Sequence, residues 1–479
     1  MAGDIDVGRR DSSLRSECSK PEELLATQPR STAEAVTVAA PSQNSTVYIW
    51  YVVCILMVAY VFSFIDRQIF SMVVGPLRRD LHISDTQVSY LQGLSFVVFY
   101  TFFGILIGRL VDIYSRRTII AIGLVLWSLF TTACGIATTF PQMLMMRMGV
   151  GVGEAALSPA AYSLVADYVP PRRMSVAISL YSAGIYIGSG LSFLLGGLIR
   201  SYATGRSAMS LPLVGQIHPW QILFFVVGLP GVLLAPLLYT IREPRTRGGS
   251  LRDKVPLGQV FSYIFANGWT FLLHNIGFGL LSLASYASAA WVPEFYVRTY
   301  HWNIRDVGWV YGCSVMVFGS LGIIGAGRLA DHLRAKGVAN ANIKVGMWIG
   351  LIWAPIHFLM LLAPSGTWAS VWLIPATVMA AAPFGVAPAA IQQMMPPNMR
   401  GQASAVYLFI LNLVGLGLGP TAVAFFTQKV FHHDDALRYS MLIVFVTASL
   451  LSAGLLWSCL KPFLNSLGRL QAYGARQTS

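Results

Sequence analysis

The pentapeptide GRLVD at residues 108–112 returns as GRLAD at residues 327–331, an offset of 219 residues. Each copy follows a long apolar stretch. The same offset carries Gly93 onto Gly312, and a similar offset of 226 carries the Pro170-Pro171 pair onto Pro396-Pro397. An offset kept at several places indicates a duplication, so the chain is predicted to consist of two similar halves. Parallel repeats of this kind are typical of transporters that hold their substrate between the halves.

Apolar stretches long enough to cross a hydrocarbon core of ~30 Å surround both copies. The chain of 479 residues is 55% hydrophobic and only 11% charged, which excludes an ordinary soluble domain with about 25% charged residues. We therefore expect an all-α polytopic membrane protein, with twelve transmembrane helices in two pseudo-symmetric six-helix halves. The predicted spans are 48–75, 86–108, 117–139, 143–166, 174–199, 221–241, 264–296, 306–327, 344–363, 367–392, 402–427 and 439–460.

The distribution of basic residues predicts the orientation and the domain boundaries. Of the 33 Lys and Arg residues, 23 fall in the tails and the loops on the side of the termini, 8 fall in the opposite loops, and two lie within spans. Positive charge accumulates on the cytoplasmic side, so both termini are predicted to be cytoplasmic, in a cell (inner) membrane. The predicted parts are a disordered tail (1–46), a first half (47–241), a linker (242–262), a second half (263–461) and a second tail (462–479).

Several classes of function are excluded by the sequence. The net charge of +13 is distributed between apolar runs, which favours a membrane over nucleic acid as the partner. The five cysteines form no CxxC pair, and no HExxH motif or phosphate-binding GxxxxGK[ST] loop occurs. We expect no enzymatic activity, no metal and no cofactor. The predicted partners are a small-molecule or lipid substrate and protons, and we expect a monomer.

Two motifs carry a family resemblance. GRLVDIYSRR at residues 108–117 resembles the loop motif between helices two and three of the major facilitator superfamily, and RMGVGVGEAA at residues 147–156 is similar to its fourth-helix motif. Asp66-Arg67, Gly153-Glu154-Ala155 and the loop 167–173 resemble the Spinster-type branch, whose members move lysolipids or sphingosine phosphates. The resemblance implies a secondary transporter that works by alternating access.

The resemblance also implies a gating latch at the cytoplasmic ends of the helices, which holds the outward-open state. The alternative is that these residues only anchor the loops through their positive charge. The latch residues are Gly108, Arg109, Asp112, Arg116, Arg117, Asp167, Arg173, Arg328, Asp331 and Arg400.

Four charged residues within predicted spans invite a functional interpretation, because a charge at the centre of a membrane helix costs at least about 2.5–3.5 kcal/mol. They are Asp66, Arg67, Arg147 and Glu154. Asp66 and Arg67 are consecutive and point about 100° apart, so they pair poorly with each other. We predict that Asp66, Arg67 and Glu154 couple transport to protons, with Arg67 changing its carboxylate partner between states. The alternative is a static ion network that fixes helix packing.

Substrate binding is predicted for Arg67, Arg147, Glu154 and Tyr286. Arg147 suits an anionic head group, or it packs its span against backbone carbonyls. The offset of 219 carries Asp66 and Arg67 onto Ser285 and Tyr286, so the charge is one-sided. A cavity between such halves suits an amphipathic single-chain lipid. The alternative substrates are small organic anions or drugs.

Overall fold

The computed structural model describes residues 45–111, 114–170, 174–203, 209–211, 215–243, 257–396 and 399–478. Helices predominate, because apolar side chains fill every span and only a helix satisfies its own backbone hydrogen bonds in lipid. The first half contains α1 (Thr46–Gln68), α2 (Val74–Leu81), α3 (Asp85–Ser89), α4 (Ser95–Val111), α5 (Arg116–Cys134), α6 (Phe140–Glu154), α7 (Leu157–Tyr168), α8 (Met174–Ala203) and α9 (Ile222–Leu238).

The second half repeats this order of long and interrupted helices. Its helices are α10 (Leu257–Ala266), α11 (Gly268–Tyr300), α12 (Ile304–Ser314), α13 (Ser320–Ala335), α14 (Ala341–Leu361), α15 (Gly366–Ala381), α16 (Pro383–Met394), α17 (Arg400–Asn412), α18 (Gly419–Phe425) and α19 (Leu437–Thr478). Short 3-10 helices cover Ile69–Met72, Pro219–Gln221 and Asp434–Ala436, and π-helical turns cover Tyr90–Leu94, Val315–Gly319, Leu413–Gly417 and Phe426–Phe431.

Eleven helical segments of the described chain are long and apolar enough to cross a membrane. The predicted span 143–166 is divided into α6 and α7 by a break after Glu154, so neither helix reaches the full length alone. Taken together, α6 and α7 complete the twelve predicted segments. The all-α prediction is confirmed. In the described part of the chain, a short antiparallel hairpin of β1 (Met209–Leu211) and β2 (Gly215–Ile217) lies between α8 and α9.

The predicted linker and tails differ from the helices observed at their edges. Residues 1–44 of the predicted first tail lie outside the described residues. Residues 257–262 of the predicted linker already belong to α10, and residues 462–478 of the predicted second tail continue α19. The side where α1 begins and α19 ends is called the terminal side below, and the opposite side is called the far side.

The halves pack against each other through glycines near the far side. A Cβ on Gly93, between α3 and α4, would overlap the carbonyl oxygen of Leu416. Its copy Gly312, in α12, would place a Cβ 2.8 Å from the carbonyl oxygen of Gly190 in α8. Both contacts require backbone-to-backbone approach, which only glycine permits. The duplicated glycines therefore form two equivalent contacts between the halves.

Closer to the terminal side, the glycines of α4 and α13 have no close neighbours among the described residues. A Cβ added to Gly104 or Gly108 of α4, or to Gly325 or Gly327 of α13, would meet no described atom within 4 Å. The halves therefore approach closely toward the far side, and the glycine faces of α4 and α13 are free toward the terminal side.

Candidate transport site between the halves

An ion pair lies at the centre of the first half. Arg67, in the last turn of α1, donates from Nε to Oε2 of Glu154 at 2.5 Å, and Ser63 Oγ donates to the same oxygen at 2.6 Å. The Glu154 side chain is fully buried and that of Arg67 is 10% exposed. The break between α6 and α7 follows Glu154 directly, so the carboxylate lies at the end of a helix. The structure brings together two of the three residues predicted to couple protons.

Three aromatic rings surround the Arg67 guanidinium. Its Cζ atom lies 4.8 Å from the ring centroid of Phe64, 4.8 Å from that of Phe96 and 4.9 Å from that of Tyr100. Each such contact contributes about 0.5–2 kcal/mol when water is excluded. The rings therefore stabilise the buried cation from its sides and leave its edge free to bind carboxylates. The sequence analysis did not predict this aromatic cluster.

Asp66 and Arg147 take no part in the Arg67–Glu154 hydrogen bond, but both lie close enough to that pair to interact with its charges. Thr131 Oγ1 donates to Oδ2 of Asp66 at 3.2 Å, so Asp66 points away from the adjacent arginine, as its position in the helix predicts. Arg147 donates from Nε to the carbonyl oxygen of Leu91 at 3.0 Å and lies over the Phe70 ring at 4.4 Å. Arg147 is only 1% exposed. In this conformation it packs its helix against a backbone carbonyl, one of the two roles predicted for it.

A small cavity of about 20 Å³ lies between the halves, roughly the space of one water molecule. The first half contributes a cation and three polar side chains, and the second half contributes no charge. The charge of the lining is therefore one-sided, and Tyr286 of the second half lines the same cavity as Arg67. The lining residues are Arg67, Gln68, Ser71, Gln92, Tyr286, Ala290, Leu416 and Pro420.

Several buried polar atoms of the first half lack a hydrogen-bond partner among the described residues, and those of Gln92 line the cavity. These atoms of the first half are Oδ1 of Asp66, Oε1 of Glu154, Nη2 of Arg147 and both amide atoms of Gln92. Leaving one such group unpaired costs about 1–3 kcal/mol. The site therefore has unused capacity to bind a proton or the polar groups of a ligand.

On the far side, a charged cluster joins the two halves. Arg298, at the end of α11, forms a bidentate pair with Asp85 at 2.8 and 3.0 Å, and it also contacts Glu294 at 3.1 Å. Arg78 contacts Asp85 at 3.1 Å and Asp434 at 2.7 Å. Asp85 is fully buried. We call these five residues the far-side gate, because they link the first half to the second at the end opposite the termini.

On the terminal side, a second charged cluster lies within the first half. Arg116 pairs with Asp167 at 2.7 Å and with Glu243 at 2.9 Å, and Ser115 Oγ and the Arg117 amide donate to Glu243 at 3.0 and 3.1 Å. Burial alone would raise the pKa of Glu243, but these hydrogen bonds and the charge of Arg116 lower it by more, so the pKa lies below its ordinary value. Three predicted latch residues, Arg116, Arg117 and Asp167, are thus close together.

The remaining predicted latch residues do not form a matching cluster in the second half. Arg328 and Asp331 are exposed, and among the described residues Asp331 forms an ion pair with the nearby Arg334 at 2.8 Å. Arg400 donates to the carbonyl oxygen of Met395 at 3.2 Å. The offset of 219 carries Arg116 onto alanine 335, so the second copy of the motif lacks the central cation. Gly108 faces open space, while Asp112, Arg173 and the side chain of Arg109 lie outside the described residues.

Sequence reasoning missed the far-side gate, Gln92 and Glu243. Arg78 and Arg298 were counted only as positive charges of the loops. Their partner Asp85 directly precedes an apolar span, and this position was the available signal. Gln92 lies near the start of the predicted span 86–108, where Gln87, Ser89 and Ser95 are also polar, so nothing in the sequence singled it out. Glu243 lies in a strongly basic loop, where the count of positive charges hid it.

Two six-helix halves, a charged site at their interface and a gate across one end define a multi-pass membrane transport protein. The family model described as the Major Facilitator Superfamily matches residues 56–420. The chain therefore belongs to the major facilitator superfamily, whose members are secondary transporters and not enzymes.

Comparisons with individual proteins agree with this family. An MFS-type efflux pump of Mycolicibacterium smegmatis (strain ATCC 700084 / mc(2)155) is 28% identical over 428 residues, covering 85% of this chain and 92% of the pump. A hexuronate transporter of Bacillus subtilis (strain 168) is 23% identical over 397 residues, covering 79% of this chain and 88% of that protein.

The fold is similar to a crystal structure of a bacterial homologue of the human lysosomal transporter Spinster. That structure is in an inward-facing and unoccupied conformation; the TM-score is 0.75 at 24% identity, covering 88% of this chain and 99% of the other. The predicted superfamily fold and the Spinster likeness are confirmed.

Proposed function

We propose that this chain is a proton-coupled transporter of an amphipathic single-chain lipid, of the lysophospholipid or sphingosine-phosphate kind. The observation that carries the proposal is the Arg67–Glu154 ion pair beside a cavity that both halves line. Arg67 and the polar side chains of the first half suit an ionic head group. The apolar surface of the second half, with Tyr286, Leu416 and Pro420, suits the start of an acyl chain.

Proton coupling follows from the two demands placed on Glu154. In the described conformation the carboxylate accepts hydrogen bonds from the Arg67 guanidinium and the Ser63 hydroxyl. A substrate anion that binds Arg67 displaces this carboxylate, and the buried Glu154 then takes up a proton, for which its free Oε1 offers a position. Asp66, with its own free oxygen, is proposed as the second protonatable group. The same displacement explains why Arg67 changes partner between states.

The far-side gate supports alternating access around this site. In the described conformation the gate holds the halves together on the far side, and the glycine faces are open on the terminal side. The distribution of basic residues leads us to propose that the protein lies in a cell membrane with both termini in the cytoplasm. In that orientation this conformation opens toward the cytoplasm. Arg116, Asp167 and Glu243, with the other latch residues, then contribute to the opposite, outward-open state.

A second candidate substrate class is a small organic anion. It is favoured by the single cation in a cavity of about 20 Å³, and by the similarity to a hexuronate transporter. A small anion needs the Arg67 edge alone, whereas a lipid also needs the apolar surface to widen as the halves move. The two candidates therefore differ in their dependence on the second half.

The test is flux into liposomes that contain the purified full-length protein. A fluorescent lysophospholipid is supplied with and without a pH gradient, and Glu154→Gln is compared with wild type and with Asp306→Asn, which removes an exposed carboxylate outside the site. We expect the gradient to stimulate flux in wild type and in Asp306→Asn, but not in Glu154→Gln. Gradient-independent flux that survives Glu154→Gln would refute proton coupling, and flux of glucuronate without lipid flux would select the small anion.

A further inference from the structure

We infer that Gln92 is a specificity residue that recognises a hydroxyl group next to the anionic group of the substrate. The inference rests on the proposed function, because it assumes that Arg67 binds the anion. It narrows the substrate class to hydroxylated anions. Both a lysolipid head group with a free glycerol hydroxyl and a free sugar acid have this chemistry.

Gln92 lies where a ligand between the halves would contact it. Its side chain lines the central cavity together with Arg67 and Ser71, and Tyr286 lines the same cavity from the second half. Asp85 begins the same span seven residues earlier, so Gln92 lies about 10 Å deeper along the helix than the far-side gate. Its depth therefore matches that of the cavity and not that of the gate.

The hydrogen-bonding state of Gln92 points to a missing ligand group. The residue is 7% exposed, and neither its Oε1 nor its Nε2 has a hydrogen-bond partner in the described part of the chain. Buried amides are normally paired, since they lose their hydrogen bonds to water. A carboxylate or phosphate alone pairs only with Nε2, whereas a hydroxyl both donates and accepts. A hydroxylated anion therefore satisfies Arg67 and both atoms of Gln92 together.

The local backbone gives independent support. Gln92 belongs to the π-helical turn Tyr90–Leu94, and the cavity residue Leu416 belongs to a second π-helical turn, Leu413–Gly417. Such turns occur frequently at functional sites, because they widen the helix and redirect one side chain. The two turns, one from each half, pack against each other beside the cavity and mark this level of the helices as the place of ligand contact.

Two of the other polar side chains that line the cavity already have hydrogen-bond partners. Ser71 Oγ donates to the carbonyl oxygen of Gln68 at 2.7 Å, and Arg67 donates to Glu154. In the second half, the copy of Gln92 at the offset of 219 is Tyr311, which packs its ring against Phe193 with centroids 4.5 Å apart. We therefore assign recognition of the substrate hydroxyl to the side chain of Gln92, in the first half.

The experiment uses proteoliposomes of the full-length protein and measures the flux of the fluorescent lysophospholipid. Matched pairs of anions are compared as inhibitors of this flux. One pair is oleoyl lysophosphatidic acid and its analogue without the glycerol hydroxyl. The other pair is glucuronate and cyclohexanecarboxylate. The variants are Gln92→Leu and Gln92→Asn, with Gln142→Leu as the control, because Gln142 is exposed at the start of α6.

Wild type and Gln142→Leu are expected to prefer the hydroxylated member of at least one pair by about tenfold in half-inhibitory concentration, a difference of about 1.4 kcal/mol. Gln92→Leu is expected to abolish this preference, and Gln92→Asn to keep part of it. The pair that shows the preference identifies a lipid or a free anion as the source of the hydroxyl.

Three results would overturn the inference. Equal inhibition by both members of each pair in wild type removes the hydroxyl preference without any variant, so a Gln92→Leu protein that fails to fold does not block the test. A preference that persists in Gln92→Leu assigns it to another residue. These two results leave the proposed function intact, whereas failure of all four anions to inhibit removes both the inference and the proposed function.

Discussion

Removing the charge of Asp85 is expected to open the far-side gate. Asp85 is fully buried and Arg298 is only 9% exposed in its side chain, so their bidentate pair is shielded from water. Breaking a buried pair by removing one partner costs about 3–5 kcal/mol. Arg298 keeps Glu294 as a partner and Arg78 keeps Asp434, so we take about 2–3 kcal/mol for Asp85→Asn. This free energy corresponds to about a 30- to 150-fold shift in the equilibrium between the two conformations.

The assay is a distance measurement between spin labels on the far side of the two halves. Exposed Arg79 and Arg305 are suitable positions, and double electron–electron resonance reports the distribution of their distances. Asp85→Asn is expected to add a population at longer distances. Asp306→Asn is the matched control, since it removes a carboxylate on the same side from an exposed position. A folded Asp85→Asn protein with the same distance distribution as wild type would refute the reasoning.

Three further predictions concern packing, pH and the central carboxylate. Gly93→Ala is expected to destabilise the conformation with the closed far side by about 1–3 kcal/mol, because the added methyl group overpacks the contact. The same spin labels will then show longer distances. Gly104→Ala is the control, since its methyl group enters open space and will leave the distances unchanged. Glu243→Gln is expected to lower Tm equally at pH 5.5 and pH 7.5. The lowered pKa of Glu243 keeps the carboxylate charged throughout this range, and the stabilisation it gives the folded state is lost only below about pH 4.5. A smaller decrease of Tm at pH 5.5 would contradict this reasoning. Ser63→Ala removes a hydrogen bond to the Glu154 carboxylate and is expected to destabilise the protein by about 1.5–3 kcal/mol, measured as a lower Tm; an unchanged Tm would show that the hydroxyl is dispensable.

The fold could be predicted from the sequence because it depends on long-range averages. Apolar length predicts a span whatever its detailed packing, and the repeated pentapeptides predict the two halves. The fourth span shows the limit of this reasoning. Its composition is continuous from residue 143 to residue 166, but the helix breaks after Glu154. Pro159 lies four residues after Ala155, and its ring removes the helical hydrogen bond to the Ala155 carbonyl and clashes with it.

Residues of the site could be predicted from the sequence only where a single side chain has a high free-energy cost in a membrane by itself. A charge inside an apolar span, such as Arg67 or Glu154, is visible in the sequence because lipid disfavours it. A pair across the halves is not visible in this way. Asp85 and Arg298 lie 213 residues apart at the ends of spans, where each charge alone is unremarked, and only the fold brings them within 3 Å. The same applies to Arg116 and Glu243, which are joined by the packing of α5 beside α9.

The contacts of Gly93 and Gly312 have a consequence for the evolution of specificity. Both contacts are formed by backbone atoms, so they make no demand on the chemistry of the side chains around them. A substitution at Gln92 or Tyr286 changes the surface offered to the cargo, but it leaves the surfaces on which the halves turn unaltered. New cargo can thus be acquired through side-chain replacement alone, while the geometry of the conformational cycle is inherited intact.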